Sequence, residues 1–292
     1  MKDNKKNSGF WMVILCLALL VCIGCVGFIG FRLYENDKAA KQYEQLRQEV
    51  EETETESETE SETDAKTTLE EIESRPFDGW NDGDAPTLPD DVRTELADNP
   101  IDFEKLQEIN PEIYAWIEIP DTQIDYPVAQ STYDDSYYLS HNIYGEPEFA
   151  GCIYTEMANR LDFSDPVTVM YGHNMRNGSM FQNLHLFEDP EFFEENRYVY
   201  VYTPQRRLTY EVFAAYSYDD VHLLNAFDFS DDEVFRQYLE DVLGGISMGQ
   251  NTRKDVTVTT KDRILTLSTC MGGQTGARYL VQAVLRKNEK TK

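Results

Sequence analysis

The hydrophobic pattern opens with 22 consecutive uncharged, mainly apolar positions, residues 10–31. At 1.5 Å of rise per residue they make roughly 33 Å of helix, about the thickness of a bilayer's hydrocarbon core. The pattern predicts a transmembrane anchor over residues 10–32 behind a short tail, residues 1–9. Lys2, Lys5 and Lys6 precede the apolar run. The positive-inside rule therefore puts the N-terminus in the cytoplasm and everything after Arg32 outside the cell, a single-pass topology. A cleaved signal peptide would be shorter and followed by a small-x-small site, which is not found directly after the run. Lipid attachment at Cys25 is the other alternative, and the uncleaved anchor is preferred to both.

Polar periodicity over residues 34–50 is compatible with a short exposed helix. Residues 51–64 are low complexity, with eight acids and no base. Such a tract cannot bury apolar surface and repels itself, so it is expected to be extended and disordered. Residues 65–98 stay acidic, with Pro and Gly interspersed. Residues 33–98 thus read as a largely disordered acidic linker that holds whatever follows off the membrane. A coil of that length spans about 45 Å, and charge repulsion lengthens it.

From residue 99 to 292 the pattern is that of a folded domain. A short amphipathic helix is predicted over residues 103–109, ending at Asn110-Pro111. Short β-type runs follow at 114–119, 124–129, 151–154, 167–171, 198–203, 208–218, 255–259, 263–269 and 279–286. Regular short strands punctuated by Pro, Gly and Asn argue for a barrel or a sandwich. Two helical stretches interrupt them. Residues 179–196 form one broken segment, with Pro190 starting its second half. Residues 230–243 form the other, with Ser230 and Glu233 as a capping box and Gly244-Gly245 as the stop.

Charge narrows the partners. The 292 residues carry a formal net charge of -28, and residues 35–100 alone hold 22 acidic against six basic side chains. A surface of this sign repels nucleic acid and anionic lipid, so neither is an expected partner. Of five cysteines, Cys16, Cys22 and Cys25 lie in the apolar run, and only Cys152 and Cys270 remain outside it. A disulfide between those two is one reading. The other makes Cys152 a buried strand residue and leaves Cys270 free.

The run Ile264-Leu265-Thr266-Leu267-Ser268-Thr269-Cys270 reads as a buried strand that delivers a thiol at its tip, with Arg278 eight residues on. A rigid strand can present a nucleophile to a groove, and a guanidinium nearby can offset negative charge on a reacting carbonyl oxygen. Among the four histidines, His173 is favoured as the proton-handling group because it too ends a strand-like run, residues 166–173, beside a glycine. His141, His185 and His222 lie in polar, helical or loop-like surroundings. Arg278 is equally compatible with a rim charge. No Cys or His pair has metal-ligand spacing, and no phosphate-cradling glycine loop is present, so neither metal nor cofactor is expected.

TLSTC followed by ARYLVQAVL resembles the signature of sortases, membrane-anchored cysteine transpeptidases of Gram-positive bacteria. INPEIYAWIEIPDTQIDYPVAQ, YYLSHNIYGEPEFAGCIYTE, YGHNM and FEDPEFFEENRYVYVYTP extend the likeness over about residues 101–287, and the helix over 230–243 resembles the extra helix of class B. The resemblance implies a closed eight-stranded β-barrel with flanking helices. It implies Cys270 as nucleophile, His173 as general acid/base and Arg278 as substrate and oxyanion stabiliser, helped by a backbone N–H near Cys270. Tyr171, Ser268 and Asn142 fall where class B enzymes contact the sorting motif. The implied substrates are surface proteins with an Asn-Pro-x-Thr-like sorting signal, cleaved after Thr through a thioacyl enzyme. The acceptor would be an amine of a lipid II-type peptidoglycan precursor. Met271 departs from relatives with an acidic residue after the nucleophile, which puts the motif preference in doubt. Two alternatives remain: another extracytoplasmic cysteine peptidase or L,D-transpeptidase, and a non-catalytic adhesion module with a Cys152–Cys270 disulfide.

Overall fold

The computed structural model describes residues 4–51, 96–272 and 276–292. The tract 52–95, which contains two thirds of the expected disordered linker, lies outside the described residues. The chain divides into two compact units, Met1–Glu44 and Gln45–Lys292. Helix α1 (Asn4–Glu51) is continuous, and its apolar part has the length and composition to cross a membrane. Its last turns are not simply an exposed polar helix. Leu46 and Val50 are buried, Arg47 pairs with Asp125 at 3.3 Å, and Lys105 Nζ donates to Glu49 O at 2.8 Å.

The second unit is a barrel. Helix α2 (Phe103–Ile109), N-capped by Asp102, leads into β1 (Ile113–Glu118), β2 (Asp125–Ala129), β3 (Ile153–Tyr154), β4 (Val167–Tyr171), β5 (Tyr198–Thr203) and β6 (Arg206–Asp219). Then come β7 (Asn251–Thr252), β8 (Ile264–Cys270) and β9 (Ala277–Lys290). Neighbours run β5-β1-β2-β3-β4-β8-β9-β6, and β6 pairs back onto β5 to close the ring. The two-residue β7 is appended to β6 at Ala214 and Ala215. The eight-stranded closed barrel implied by the resemblance is therefore found. β2–β3 and β4–β8 are parallel, and the other pairs are antiparallel. β6 and β9 pair over their full length, with register shifts at Thr209/Tyr210 and Val212/Ala214. Such bulges add the twist that ring closure requires.

Sequence explains the layers. β4 (VTVMY) and β8 (ILTLSTC) are buried along nearly all their length, as expected of a parallel pair covered on both faces. The outer cover is α5 (Asp232–Gly245), whose Phe235, Tyr238, Leu239 and Val242 recur at helical spacing and are buried. They pack with Val167, Val169, Phe213, Tyr216, Ile264 and Leu280, and each such side chain contributes roughly 1.5–3 kcal/mol by leaving water. A polar knot crosses this layer. Gln282, fully buried, donates to Tyr238 Oη (2.7 Å) and Thr266 Oγ1 (2.8 Å) and accepts from Tyr216 Oη (3.2 Å). With every polar atom partnered, its hydrogen bonds offset the cost of burying the amide and fix the helix on the barrel.

Two expectations differ. The cap of α5 is Asp231, which accepts from Glu233 N and Val234 N, because the Ser230 hydroxyl donates instead to Asp228. The 255–259 run forms no strand: Val256 is buried and Val258 packs beside it, but their backbone has no ladder partner. The broken helical segment expected over 179–196 is found, as a 3₁₀ helix, Phe181–Glu188, followed by α3 (Pro190–Glu195) with Pro190 in its first turn. A one-turn helix, α4 (Leu223–Ala226), completes the set.

Candidate active site

Three strand ends meet at one rim of the barrel. Cys270 closes β8 and is exposed. Its register partner on β9 is Arg278, and directly opposed residues of an antiparallel pair project to the same face. On the other side of β8 the parallel strand β4 pairs Tyr171 with Ser268, so His173 and Cys270 each stand two residues beyond one matched pair. Two further bonds carry the match past the strand ends. Gly172 N donates to Ser268 O at 3.1 Å, and Thr269 Oγ1 donates to Gly172 O at 2.8 Å.

Gly172 is dictated by space. A Cβ there would lie 2.5 Å from Ile153 Cδ1 and 2.7 Å from Phe181 Cγ. The next residue, His173, is fixed on two sides. Its ring stacks on Phe149, centroids 5.5 Å apart, and its Nε2 lies 2.8 Å from Leu139 O. A carbonyl only accepts, so Nε2 carries a proton and Nδ1 is the nitrogen left for chemistry. Leu139 is itself anchored: it ends the 3₁₀ turn Tyr137–Leu139, whose buried Tyr138 donates to Glu112 (2.7 Å) and accepts from Asn110 (2.7 Å).

Arg278 is held by Asp220, Nη2 to Oδ1 at 2.5 Å, and the Asp220 N–H donates to Gly276 O. The Met271 N–H donates to Ala277 O at 3.1 Å, so it is not the expected backbone donor beside the thiol. The Cys270 carbonyl receives Asn174 Nδ2 at 2.9 Å and has His185 Nε2 at 3.1 Å.

Next to the thiol, Tyr171 stacks on Tyr154 at 5.5 Å. Burial, and then the Glu156 carboxylate, push both phenols up, with Arg278 working in the opposite direction. Glu156 is also raised by burial, against the pull of His222. His222 Nδ1 accepts from Asn225 N and caps α4, so its proton sits on Nε2, 2.5 Å from Glu156 Oε2.

The sequence-selected residues are therefore not all alike. Cys270, His173 and Arg278 share the rim, and Tyr171 and Ser268 are register partners immediately below it. Asn142 is buried, and its side chain is committed to a turn, accepting from Tyr144 N and Glu146 N at 3.0 Å. No contact among the described residues joins it to the thiol, the imidazole or the guanidinium. Cys152 is buried and Cys270 exposed, and no disulfide joins them, which removes the disulfide reading. Asp220, Leu139, Phe149 and His185 were not selected from sequence. Their contacts to the rim all come from distant segments, and no local pattern announces them.

The sortase domain model matches residues 117–286. The chain belongs to the sortase family, and its relatives put it in class B. It is 36% identical over 180 residues to sortase B of Listeria monocytogenes, covering 62% of this chain and 68% of that protein. To sortase B of Staphylococcus aureus it is 30% identical over 187 residues, covering 63% and 75%. The X-ray structure of Clostridium perfringens sortase B superposes with a TM-score of 0.57 at 33% identity, covering 64% of this chain and all of that one. A sortase is a cysteine transpeptidase, and sortases as a family are membrane-associated enzymes acting at the cell wall. The adhesion reading falls with the disulfide that defined it.

Proposed function

We propose that this sortase cleaves a C-terminal sorting signal of the Asn-Pro-x-Thr type after its threonine and transfers the protein to a cell-wall amine. The observation that carries the reading is the pairing of Cys270 with Arg278 across β8 and β9, beside an imidazole whose proton assignment is fixed by Leu139 O. The Cys270 thiolate attacks the threonine carbonyl; a C–S bond forms and the carbonyl π pair moves to oxygen. Arg278 stabilises that oxyanion, its guanidinium steadied by Asp220. On collapse the C–N bond breaks, and His173 as imidazolium gives its proton to the departing amine. His173, now neutral, takes a proton from the incoming amine as it attacks the thioacyl carbon, and the thiolate leaves. The expected acceptor is an amine of a lipid II-type precursor. On this reading Tyr171 and Ser268 line the sorting-motif groove, and Asn142 contributes through the turn its side chain holds. We read α1 as a single-pass anchor with its N-terminus in the cytoplasm and the barrel outside, joined by the acidic tract before residue 99.

The test is mass spectrometry of the full chain in detergent micelles with a panel of sorting-signal peptides. A thioacyl adduct on Cys270, absent in Cys270→Ala and discharged by an added amine, supports the reading. Discharge that proceeds equally without amine favours a hydrolase. Strong preference for a leucine-type over an asparagine-type motif would overturn the substrate assignment, and no adduct from a folded chain with a free thiol would overturn the mechanism.

A further inference from the structure

The peptide unit that follows the thiol is gripped at both edges. The parallel ladder from β4 ends where Gly172 N donates to Ser268 O. The next carbonyl on that side, that of Cys270, is met by a side-chain amide instead: Asn174 Nδ2 at 2.9 Å, which also lies 3.0 Å from His185 Nε2. At the opposite edge the Met271 N–H donates to Ala277 O. A peptide plane is rigid, so these holds together fix the last backbone torsion of the residue that carries the thiol.

His185 is built for that task more than for packing. The row Phe181, Leu184 and Phe187 buries its 3₁₀ segment without it. Its Nδ1 lies 2.6 Å from Glu188 Oε1, and since a carboxylate only accepts, Nδ1 carries a proton. Its face stacks on Tyr279, centroids 5.0 Å apart, next to Arg278 in sequence. With the ring proton on Nδ1, Nε2 is an acceptor, and both ring contacts aim it at Asn174 Nδ2, 3.0 Å away.

We propose that His185 is a positioning residue for the nucleophile. Held by Glu188 and Tyr279, it accepts one N–H of Asn174 at Nε2 and so aims the other at the Cys270 carbonyl, which locks the plane that carries the thiol. The inference rests on Cys270 being the nucleophile. His185→Phe keeps the stack and the volume but accepts nothing from Asn174; His185→Gln returns an acceptor oxygen near the Nε2 position. In the full chain, His185→Phe is expected to lower kcat for acylation about ten- to a hundredfold, the scale set by small misplacements of reacting groups. KM should stay within about twofold, as expected when only alignment is lost. Exchange of the Met271 amide should quicken, and His185→Gln should recover most of both properties. Wild-type kcat and wild-type Met271 exchange in His185→Phe would overturn the proposal, as would a glutamine variant as impaired as the phenylalanine one. A wild-type chain that forms no Cys270 adduct would refute the transpeptidase mechanism instead. Met271 exchange needs no substrate, and would still decide whether His185 locks the plane.

Discussion

Gly172→Ala is the most direct probe of how the barrel aims His173. The added methyl carbon would stand 2.5 Å from Ile153 Cδ1 and 2.7 and 2.8 Å from Phe181 Cγ and Cδ2. Comfortable carbon–carbon contact is about 3.5–4.0 Å, so something must move by about 1 Å. Ile153 and Phe181 are both buried with almost no exposure and have no space to yield. Overpacking of this kind costs about 1–3 kcal/mol, and in a unit of this size each kcal/mol lowers Tm by about 2–4 °C. The displacement also reaches the imidazole, because Phe181 N donates to His173 O at 3.0 Å. A shift of about 1 Å at a reacting group costs about a hundredfold in rate. Thermal melting followed by circular dichroism measures the first effect, and single-turnover acylation the second. Adding Ile153→Val removes the nearest atom and should recover part of both losses. Wild-type melting and rate in Gly172→Ala would refute the steric argument, and so would a double variant with no recovery.

Three other outcomes are expected. Arg253 is enclosed, donating to Val212 O (2.9 Å), Phe193 O and the Glu194 carboxylate (3.0 Å), so Arg253→Met should cost about 3–5 kcal/mol by orphaning buried acceptors. Glu194→Gln, at the exposed end of the same pair, should cost less than about 1 kcal/mol; equal urea midpoints for the two variants would contradict this. Asp220→Asn should slow acylation about tenfold with unchanged melting, the loss of one charge-assisted bond. A faster variant would mean that Asp220 competes with the oxyanion for Arg278. Glu118 is pushed above its ordinary value first by burial and also by Asp125, against its bond from Tyr202 and the charge of Arg207. A carboxyl raised in the folded state supports folding below its unfolded pKa, and that support fades as pH rises through the folded value. Glu118→Gln should therefore match wild type in urea at about pH 4 and exceed it at about pH 7; a gap that shrinks with rising pH would reverse the sign.

Strands whose composition leaves no alternative were legible in the sequence. Val167–Tyr171 and Tyr198–Thr203 have the expected bounds, because dense β-branched and aromatic runs between turn residues have few other uses. Residues 255–259 carry the same alternation, yet it reports only that Val256 and Val258 face the core under α5. Hydrophobic period records burial, and a ladder partner is a separate, long-range fact. The thiol, the imidazole and the guanidinium could be singled out because each marks a strand tip or start. Asp220 and His185 could not, since they reach Arg278 and Cys270 across 58 and 85 residues of chain. Asn142 shows the converse: a residue singled out by resemblance has its side chain spent on a local turn.

The strand that supplies Arg278 is also the one that seals the ring, lying between β6 and β8. A polypeptide emerging N-terminus first therefore exposes Cys270 before its cationic partner exists in space. Until β9 has slotted between two waiting neighbours, the thiol has no counter-charge and β8 and β6 each present an open edge. The juxtaposition of thiol and guanidinium is thus the last feature of the rim to form, and a copy truncated before β9 lacks both it and a closed ring.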